Sequence, residues 1–576
     1  MQNEVKGERL DDYFFENVAS GIEISTEDDE EYDQVDDTTE DDDIDIMTHD
    51  TYEKLENIKL EKNKKKKEKL PPSSYKKFVQ KDFSEEFGTC EMLNENFFQS
   101  LCECSSYSNL PGVSDYSSWK KPITATFVSF CKYKPPWNDS SKIQFKTEET
   151  IEQFKFGQEK RLDNGSVIFC GGPISALDWS WTNETQYLAV ATFQDEENSY
   201  EVQKGSLIQI WSVSAEKETV GQVKLELGIL HDFGAVIDLK WCPVAPSYRL
   251  ANHVGLLAAA TASGSVVVYS VPMPMSLKTH KYGNFFTPEP VFTFELSTND
   301  AVGSVDWFNK NEEILLVASS VNTGLVKLWN ITHVRSKTEI PEGITLLRDK
   351  GVVSVGFIEK NKVVMGSADR TVAVLDVDRL EWLCREQKPF VFGSPVSCCP
   401  LVPSVFATSS DFRGPGFLFP FLCIYSQDQF RTAKMLGEHS TPIWDLSISP
   451  LLGKVASVSY RGTVLIRDIP SVELKLRHQG QQKIFKWNLQ SLDTTQSEKE
   501  GPLDLDQANK KYYLQLCDPS KKEKTSMDEQ FEEAVYSGDY PLGAMFKVKW
   551  NVNEEYKNLI AFGGQAGFLF IINYRV

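Results

Sequence analysis

The sequence of 576 residues contains no long apolar run, few histidines and no excess of basic residues. Its longest apolar run, residues 417–425, is interrupted by Pro420 and is far too short to cross a membrane as a helix. The seven His residues are dispersed, and no HExxH, GxSxG or glycine-rich phosphate loop is present. We therefore expect neither a membrane protein nor an enzyme.

The 11 cysteines lack the pattern of a disulfide framework or a metal site. Their number is odd and most lie in apolar stretches, which is typical of reduced thiols in an intracellular protein. Cys102 and Cys104 form a CxC motif, but Cys90 is its only near neighbour, and three thiols are too few for a tetrahedral site. We predict no metal and no cofactor.

Most of the net charge of -22 comes from the first 50 residues, which hold 20 Asp or Glu against Lys6 and Arg9. That segment contributes -18 and leaves -4 for the other 526 residues. Broad binding to nucleic acid requires clustered Lys and Arg that release counterions from the phosphates. The near-neutral body therefore predicts a DNA contact that is indirect or local.

Residues 1–70 are predicted to be a disordered tail that is first acidic and then basic. Thirteen of the 19 residues from 27 to 45 are acidic, with too few large apolar side chains to offset the entropy of ordering. A basic block follows, with Lys64, Lys65, Lys66 and Lys67 at its centre. We interpret this block either as a nuclear localisation signal or as a solvated charge run that partly neutralises the tail.

Residues 71–165 are polar but carry large aromatic residues such as Phe97, Phe98 and Trp119. They show no sustained helical or strand period. Irregular segments with buried aromatic residues need a surface to cover. We therefore expect a docking arm that packs on the body of the protein or on a partner.

An apolar pattern recurs seven times from Ile174 onward: an aliphatic residue, an apolar one three positions later and a bulky one two beyond that. The seven instances are Ile174, Leu177 and Trp179; Val236, Leu239 and Trp241; Val302, Val305 and Trp307; Val352, Val355 and Phe357; Val396, Cys399 and Leu401; Ile443, Leu446 and Ile448; Met545, Val548 and Trp550. The last two positions share one face of a β-strand. A second strand rich in Ala, Ser or Val, a turn and a third strand follow, so each unit is predicted to be a β-meander.

These repeats predict an all-β fold, a seven-bladed β-propeller over residues 166–576. Four strands cannot bury both of their faces alone, and the intervals between the bulky residues suit four-stranded blades with loops of variable length. The charged residues 490–542 are predicted to be an insertion before the last blade. Because the seventh unit ends after its third strand, we predict that residues 166–170 pair with that strand and cover its edge.

The repeats resemble the WD40 family over residues 165–576, by pattern rather than by signature dipeptides. The usual Trp-Asp pair is replaced by pairs such as Trp211-Ser212 and Leu375-Asp376, and the usual Gly-His pair survives loosely as Gly437-Glu438-His439. These departures weaken the His to Asp hydrogen-bond network that the resemblance implies. We expect a divergent member.

The WD40 resemblance also implies which positions face the top surface: the residue after the first marker of each unit and the residue at the turn between the second and third strands. The large apolar residues at these positions are Ile237, Val353, Trp444, Tyr460 and Phe546. We expect them to expose apolar area, and they are candidate partner-binding residues, because aromatic anchors dominate interface energies. The alternative is that the arm or a loop covers them.

Four aspartates, Asp178, Asp238, Asp306 and Asp445, recur near the first strand of their units. Such a recurrence suggests either a ring of carboxylates or a structural role. We favour the structural role, in which they cap turns or face solvent.

A narrower resemblance lies in the second repeat, where His231 to Pro243 and the following strands up to Pro272 are similar to the propeller subunits of TFIIIC, the general factor for RNA polymerase III. This resemblance implies a nuclear, non-enzymatic scaffold that joins the largest subunit of the complex in recognising the internal promoter of tRNA-type genes. The alternative is a cytoplasmic WD40 scaffold such as a dynein intermediate chain, with short helices in residues 51–70. A propeller hydrolase would need converging carboxylates in a polar channel, and the small apolar second strands argue against it.

Overall fold

The computed structural model describes residues 138–574 with gaps, together with Leu110, Asp115 and Ser117–Lys120. The longest gaps are residues 469–481, 492–511 and 517–535. The predicted tail, residues 1–70, lies outside the described residues. In the described part almost all regular secondary structure is β-strand, and the helices are three short 3-10 turns, Ser117–Lys120, Pro274–Ser276 and Glu554–Tyr556. The predicted all-β class is confirmed.

The strands are numbered in chain order. They are β1 Gln144–Lys146, β2 Ile151–Glu152, β3 Glu159–Leu162, β4 Gly165–Phe169, β5 Ile174–Trp179, β6 Gln186–Thr192, β7 Ser206–Glu216, β8 Thr219–His231, β9 Val236–Trp241, β10 His253–Thr261, β11 Ser265–Pro272, β12 Phe285–Phe286, β13 Phe292–Glu295, β14 Val302–Lys310, β15 Glu313–Ser320, β16 Leu325–Asn330 and β17 Gly343–Leu347. They continue with β18 Val352–Glu359, β19 Lys362–Ser367, β20 Thr371–Asp376, β21 Glu381–Gln387, β22 Val396–Cys398, β23 Val405–Gly414, β24 Phe417–Ser426, β25 Lys434–Glu438, β26 Ile443–Ser449, β27 Lys454–Ser459, β28 Thr463–Asp468, β29 Gln482–Ser491, β30 Tyr512–Leu516, β31 Tyr536–Ser537, β32 Tyr540–Pro541, β33 Met545–Trp550, β34 Leu559–Gly564 and β35 Phe568–Asn573.

The described strands form seven sheets of four or more strands, one for each repeat, and a short β31–β32 hairpin. Sheet 1 contains β5 to β8 and β12; sheet 2 contains β9 to β11 and β13; sheets 3, 4 and 5 contain β14 to β17, β18 to β21 and β22 to β25; sheet 6 contains β26 to β30, β1 and β2; sheet 7 contains β33 to β35, β4 and β3. The first strand of each sheet contacts the first strand of the next, and β33 of sheet 7 contacts β5 of sheet 1. These contacts are those that a seven-bladed propeller predicts.

Sheet 7 is built from both parts of the chain. Strand β4 pairs antiparallel with β35, with Phe169 opposite Phe568 and Val167 opposite Phe570. The main-chain N–H of Cys170 donates to the carbonyl of Gly567 at 2.9 Å. This is the pairing that the sequence predicts, and β3 then adds outside β4.

Two segments that were not expected to form strands of the sheets supply outer strands. Within residues 71–165, β1 and β2 extend sheet 6 and β3 extends sheet 7. Within the predicted insertion, β30 pairs with β29 and with β1. Phe145 and Phe154 are fully buried in the core between sheets 6 and 7. The described end of the aromatic segment therefore contributes to these two sheets.

The buried apolar side chains lie mainly between consecutive sheets. One cluster joins sheets 1 and 2 around Trp241, another joins sheets 2 and 3 around Trp307, and another joins sheets 7 and 1 around Trp179. The small residues of the second strands, such as Ala259, are fully buried. Each large side chain so buried contributes about 1.5–3 kcal/mol. The bulky residue of the repeat therefore packs one sheet on its neighbour.

Glycine is required at the turn between the second and third strands. Gly264 has a φ of 83°, and a Cβ there would lie 1.9 Å from the carbonyl oxygen of Ser297. Both the backbone conformation and the space exclude other residues.

A membrane-spanning helix is not found in the described part of the chain.

Candidate partner-binding surface

A β-bulge recurs at the start of the first strand and determines where the candidate residues lie. In six sheets the pairing between the first and second strands skips one residue. The skipped residues are Ser175, Ile237, Gly303, Val353, Trp444 and Phe546. In sheet 5 Ser397 pairs normally with Ala407. A bulge leaves one residue outside the ladder and re-aims its side chain.

The bulge also explains the unusual spacing of the repeat. Ile174, Leu177 and Trp179 are all buried, although Ile174 and Leu177 are three positions apart. In an unbroken strand, an odd spacing would place these side chains on opposite faces. The extra residue, Ser175, restores them to the same face.

Three of the five candidate residues meet at the boundary between sheets 6 and 7. The ring centroids of Trp444 and Phe546 are 5.6 Å apart at 66°, and those of Trp444 and Tyr460 are 6.4 Å apart at 22°. Trp444 and Tyr460 are half-buried and pack against Phe546 and Ala544. We call Trp444, Tyr460 and Phe546 the aromatic cluster.

The expectation that Phe546 exposes apolar area is wrong, since only 7% of it is accessible. Trp444 covers it from the neighbouring sheet. Ile237 and Val353 occupy the equivalent bulges of sheets 2 and 4, where they are half-buried, and they do not belong to the aromatic cluster. The structure thus brings together three predicted residues, and two of these retain accessible aromatic area.

The four recurring aspartates link neighbouring sheets. Asp178 accepts a hydrogen bond from the main-chain N–H of Trp241 at 2.8 Å, Asp238 from Val305 at 3.2 Å, Asp306 from Phe357 at 2.9 Å and Asp445 from Val548 at 3.0 Å. Each bond runs from the first strand of one sheet to the first strand of the next. Their role is structural, but they neither cap turns nor simply face solvent, which corrects the predicted form of that role.

Serine and tryptophan side chains make the remaining links. The hydroxyl of Ser354 accepts from the N–H of Val396 at 3.1 Å, and that of Ser397 accepts from Ile448 at 3.3 Å. Between sheets 7 and 1, the indole N–H of Trp179 donates to the carbonyl of Lys549 at 3.2 Å. Sequence reasoning missed these serines. Ser354 stands three residues before the bulky Phe357, as Asp238 stands before Trp241, and that spacing is the signal that could have found it.

Lys240 is the positive charge among these carboxylates. Its ammonium lies 3.8 Å from the carboxylate of Asp306, and both side chains are largely buried. Burial lowers the pKa of Lys240, but the carboxylates of Asp306, Asp178 and Asp238 raise it above its usual value. Burial raises the pKa of Asp178 to about 6, although Lys240 and Lys549 oppose this. The positive charge of Lys240 is therefore balanced by the carboxylates around it.

This arrangement uses its polar groups to hold the sheets together. The carboxylates accept main-chain hydrogen bonds, and buried polar groups need such partners. In the described part of the chain, no group of three or more His, Cys, Asp or Glu residues has the arrangement of a metal site. Cys90, Cys102 and Cys104 lie outside the described residues, as do Lys64, Lys65, Lys66 and Lys67 of the basic block. The absence of enzymatic activity stays a prediction.

Comparison with protein-family models finds no match. Among characterised proteins, the transcription factor tau subunit sfc6 of Schizosaccharomyces pombe is 27% identical over 190 residues, which cover 32% of this chain and 30% of that protein. General transcription factor 3C polypeptide 2 of Homo sapiens is 23% identical over 351 residues, or 53% of this chain and 38% of that protein, and the Pongo abelii protein matches to the same extent.

The matched region spans about a third of the length of each relative. Membership of the WD40 family stays a prediction. The predicted resemblance of the second repeat to TFIIIC subunits is confirmed, because these relatives are such subunits. The chain is a divergent protein similar to subunits of general transcription factor 3C, TFIIIC.

Proposed function

We propose that this protein is a non-catalytic subunit of a TFIIIC-type complex, where it holds partner proteins in place for RNA polymerase III transcription. The similarity to two subunits named for this factor, over as much as 53% of the chain, is the observation that carries the proposal. It supports membership of a multi-subunit complex in the nucleus. The narrower scaffold role rests on the architecture.

The use of polar groups in the sheets supports a scaffold. The carboxylates of the four recurring aspartates accept hydrogen bonds from main-chain N–H groups of the next sheet, as Asp306 does from Phe357. A hydrolytic site needs carboxylates that are free to act on a substrate. The four aspartates instead join neighbouring sheets into a rigid body, and the outer surface of that body is available to partners.

The aromatic cluster is the proposed anchor for a protein partner. Trp444 and Tyr460 are half-buried, and Phe546 fixes the ring of Trp444 from below. Rigid aromatic side chains of this kind supply large contact area at a small loss of side-chain entropy. Ile237 and Val353 hold the same bulge position in sheets 2 and 4, and they are proposed as weaker contacts of the same surface.

The partners proposed are other TFIIIC subunits, including the largest one, which acts with this chain in recognising the internal promoter of tRNA-type genes. DNA contact is indirect or local, because the 526 residues after the first 50 have a net charge of only -4. Nuclear import is proposed to depend on Lys64, Lys65, Lys66 and Lys67. Replacing these four lysines with glutamine should move a fluorescently tagged chain into the cytoplasm.

Affinity purification of the tagged chain with mass spectrometry tests this function. We expect TFIIIC subunits to co-purify in near-stoichiometric amounts. A double variant, Trp444→Ser with Tyr460→Ser, should lose at least one of them by about tenfold or more, since two anchors of about 1–2 kcal/mol each are removed. Met275→Ser is the matched control, because Met275 is 94% exposed and belongs to no cluster.

A clean purification that lacks polymerase III factors would contradict the proposal. Recovery of dynein subunits instead would favour the cytoplasmic scaffold. Recovery of the full TFIIIC set with the double variant would leave membership of the complex intact and remove the aromatic cluster as the anchor.

A further inference from the structure

Exposed apolar side chains are concentrated on the outer rim of sheet 4. Five large hydrophobic residues are exposed among the residues that the structure describes, and three of them fall within four consecutive positions. Leu380 is 60% exposed, Trp382 44% and Leu383 40%. We call these three residues the rim patch. A cluster of this kind, unlike single exposed residues, indicates a contact surface.

The rim patch lies at an unpaired strand edge. β21 is the outermost strand of sheet 4, and no described strand pairs with its outer side. The register against β20 skips Leu383, so a bulge separates Cys384 from Trp382. Sheets 1, 6 and 7 of this molecule each have a further strand on the outer side of their fourth strand. Unpaired apolar edges attract another segment of chain.

The orientation of the Trp382 ring is fixed by a neighbouring side chain. The guanidinium of Arg348 lies 4.9 Å from the centroid of its ring. Arg348 is itself buried, lies 3.6 Å from the carboxylate of Asp369 and donates to the hydroxyl of Thr371. One face of the indole is thus fixed by a cation–π contact, while much of the side chain stays accessible. Such pre-organisation reduces the entropy lost on binding.

The path of the N-terminal segment around the sheets indicates what covers the patch. Phe145 is buried between sheets 6 and 7. Trp119 is buried in the core of sheets 1 and 2, with its ring centroid 5.5 Å from that of Phe286. Leu110 is buried in the core of sheets 2 and 3. Taken towards the N-terminus, these three described residues therefore follow the order of the sheets, and sheet 4 is the next sheet in that order.

We propose that the apolar segment 92–101 of the same chain docks on the rim patch. This segment lies outside the described residues and carries Met92, Leu93, Phe97, Phe98 and Leu101. Trp119 and Leu110 are nine positions apart, and that length covers the step from the core of sheets 1 and 2 to the core of sheets 2 and 3. Nine more residues lead from Leu110 to Leu101 and reach up to about 30 Å, which is enough for one further step.

Sheet 1 shows that a Phe-Phe pair fits an outer strand of this molecule. Phe285 and Phe286 form β12, which pairs with β8 on its outer side, and both rings are buried. Phe97 and Phe98 supply the same pair of side chains. The docking is independent of the partner-binding function proposed above, because the aromatic cluster lies at sheets 6 and 7 and the docking is a contact within one chain.

Site-specific photo-crosslinking in the full-length protein tests the docking. A benzoylphenylalanine replaces Trp382, and a benzoylphenylalanine at Met275 is the control, since Met275 is even more accessible but lies on the turn Pro274–Ser276. We expect cross-linked peptides that join residues 380–387 to residues 90–104 within a monomer, and none from the control. Cross-links to a second copy, to another part of the chain or to nothing would overturn the proposal.

Hydrogen exchange gives a second, independent readout. The variant Phe97→Ser with Phe98→Ser should speed exchange of the β21 amides by at least about tenfold, because their outer side becomes solvated. The variant Phe97→Leu with Phe98→Leu should retain most of the protection. Exchange of β17 and β25, the outer strands of the adjacent sheets, should not change. Unchanged exchange of β21 in the serine variant would contradict the docking.

Discussion

The contact between sheets 7 and 1 makes a sharp prediction for two equivalent tryptophans. Trp179 and Trp550 hold the bulky position of their repeats, and their exposed fractions are 1% and 2%. The indole N–H of Trp179 donates to the carbonyl of Lys549 across the two sheets at 3.2 Å. The indole nitrogen of Trp550 is buried and has no protein partner among the described residues. Phenylalanine removes a similar ring area at both positions and can keep the edge contact that Trp550 makes with Tyr574 at 5.7 Å, so the main difference is in the hydrogen bonding.

The expected difference follows from the net value of a hydrogen bond. Trp179→Phe loses a bond of about 1 kcal/mol, whereas Trp550→Phe removes a donor whose burial costs about 1–3 kcal/mol. Trp179→Phe should therefore be less stable than Trp550→Phe by about 2 kcal/mol, a factor of about 30 in the unfolding equilibrium. Because the Trp179 bond joins sheets 7 and 1, its loss should also speed hydrogen exchange in β5 and β33 of the Trp179→Phe variant.

Urea unfolding of both variants, followed by far-ultraviolet circular dichroism, measures the difference. The comparison is valid where both curves have the same slope, since an altered slope signals a change in the unfolded state. Equal stability within about 0.5 kcal/mol, or a less stable Trp550 variant, would refute the role of the Trp179 bond in joining sheets 7 and 1.

Three further substitutions test the inner charges and the turns. Since burial raises the pKa of Asp178 to about 6 from an ordinary value near 4, this carboxyl favours folding when protonated, and its contribution is lost as pH rises through about 6. Asp178→Asn should flatten the pH dependence of the unfolding free energy between pH 4 and 6.5 by up to about 3 kcal/mol, and parallel curves would contradict this. Lys240→Met removes the charge 3.8 Å from Asp306 and should destabilise the protein by about 3 kcal/mol at pH 7.5, with a smaller loss near pH 5, where Asp178, with its pKa of about 6, is protonated; urea unfolding at both pH values checks it. Gly264→Ala should shift the urea midpoint much further than Gly157→Ala, because both glycines have positive φ but only Gly264 lacks room for a Cβ; similar shifts would count against the crowded turn.

The order and type of the sheets follow from the sequence because one repeating pattern specifies them. A buried triplet such as Val236, Leu239 and Trp241 is readable as a strand that packs on both neighbours. The pairing of β4 with β35 is also predictable, since an apolar strand before the first unit and an unpaired third strand in the last one require each other.

Other features depend on geometry that the pattern alone does not contain. In six of the seven repeats the odd spacing of three reflects a bulge, and its identification needs the pairing register. Phe546 was expected to be exposed, but Trp444 of the neighbouring sheet covers it, and such contacts between sheets depend on the twist and approach of two separate units. The outer strands β1, β2, β3 and β30 have 3, 2, 4 and 5 residues, which is too short for an alternation such as that of Phe145 and its polar neighbours to stand out in the sequence.

Occupancy of chromatin tests the central claim most directly. Chromatin immunoprecipitation of the tagged full-length chain should enrich the internal promoters of tRNA-type genes, as the proposed membership of a TFIIIC-type complex predicts. Enrichment at genes transcribed by other polymerases only, or no enrichment above an untagged control, would contradict the account.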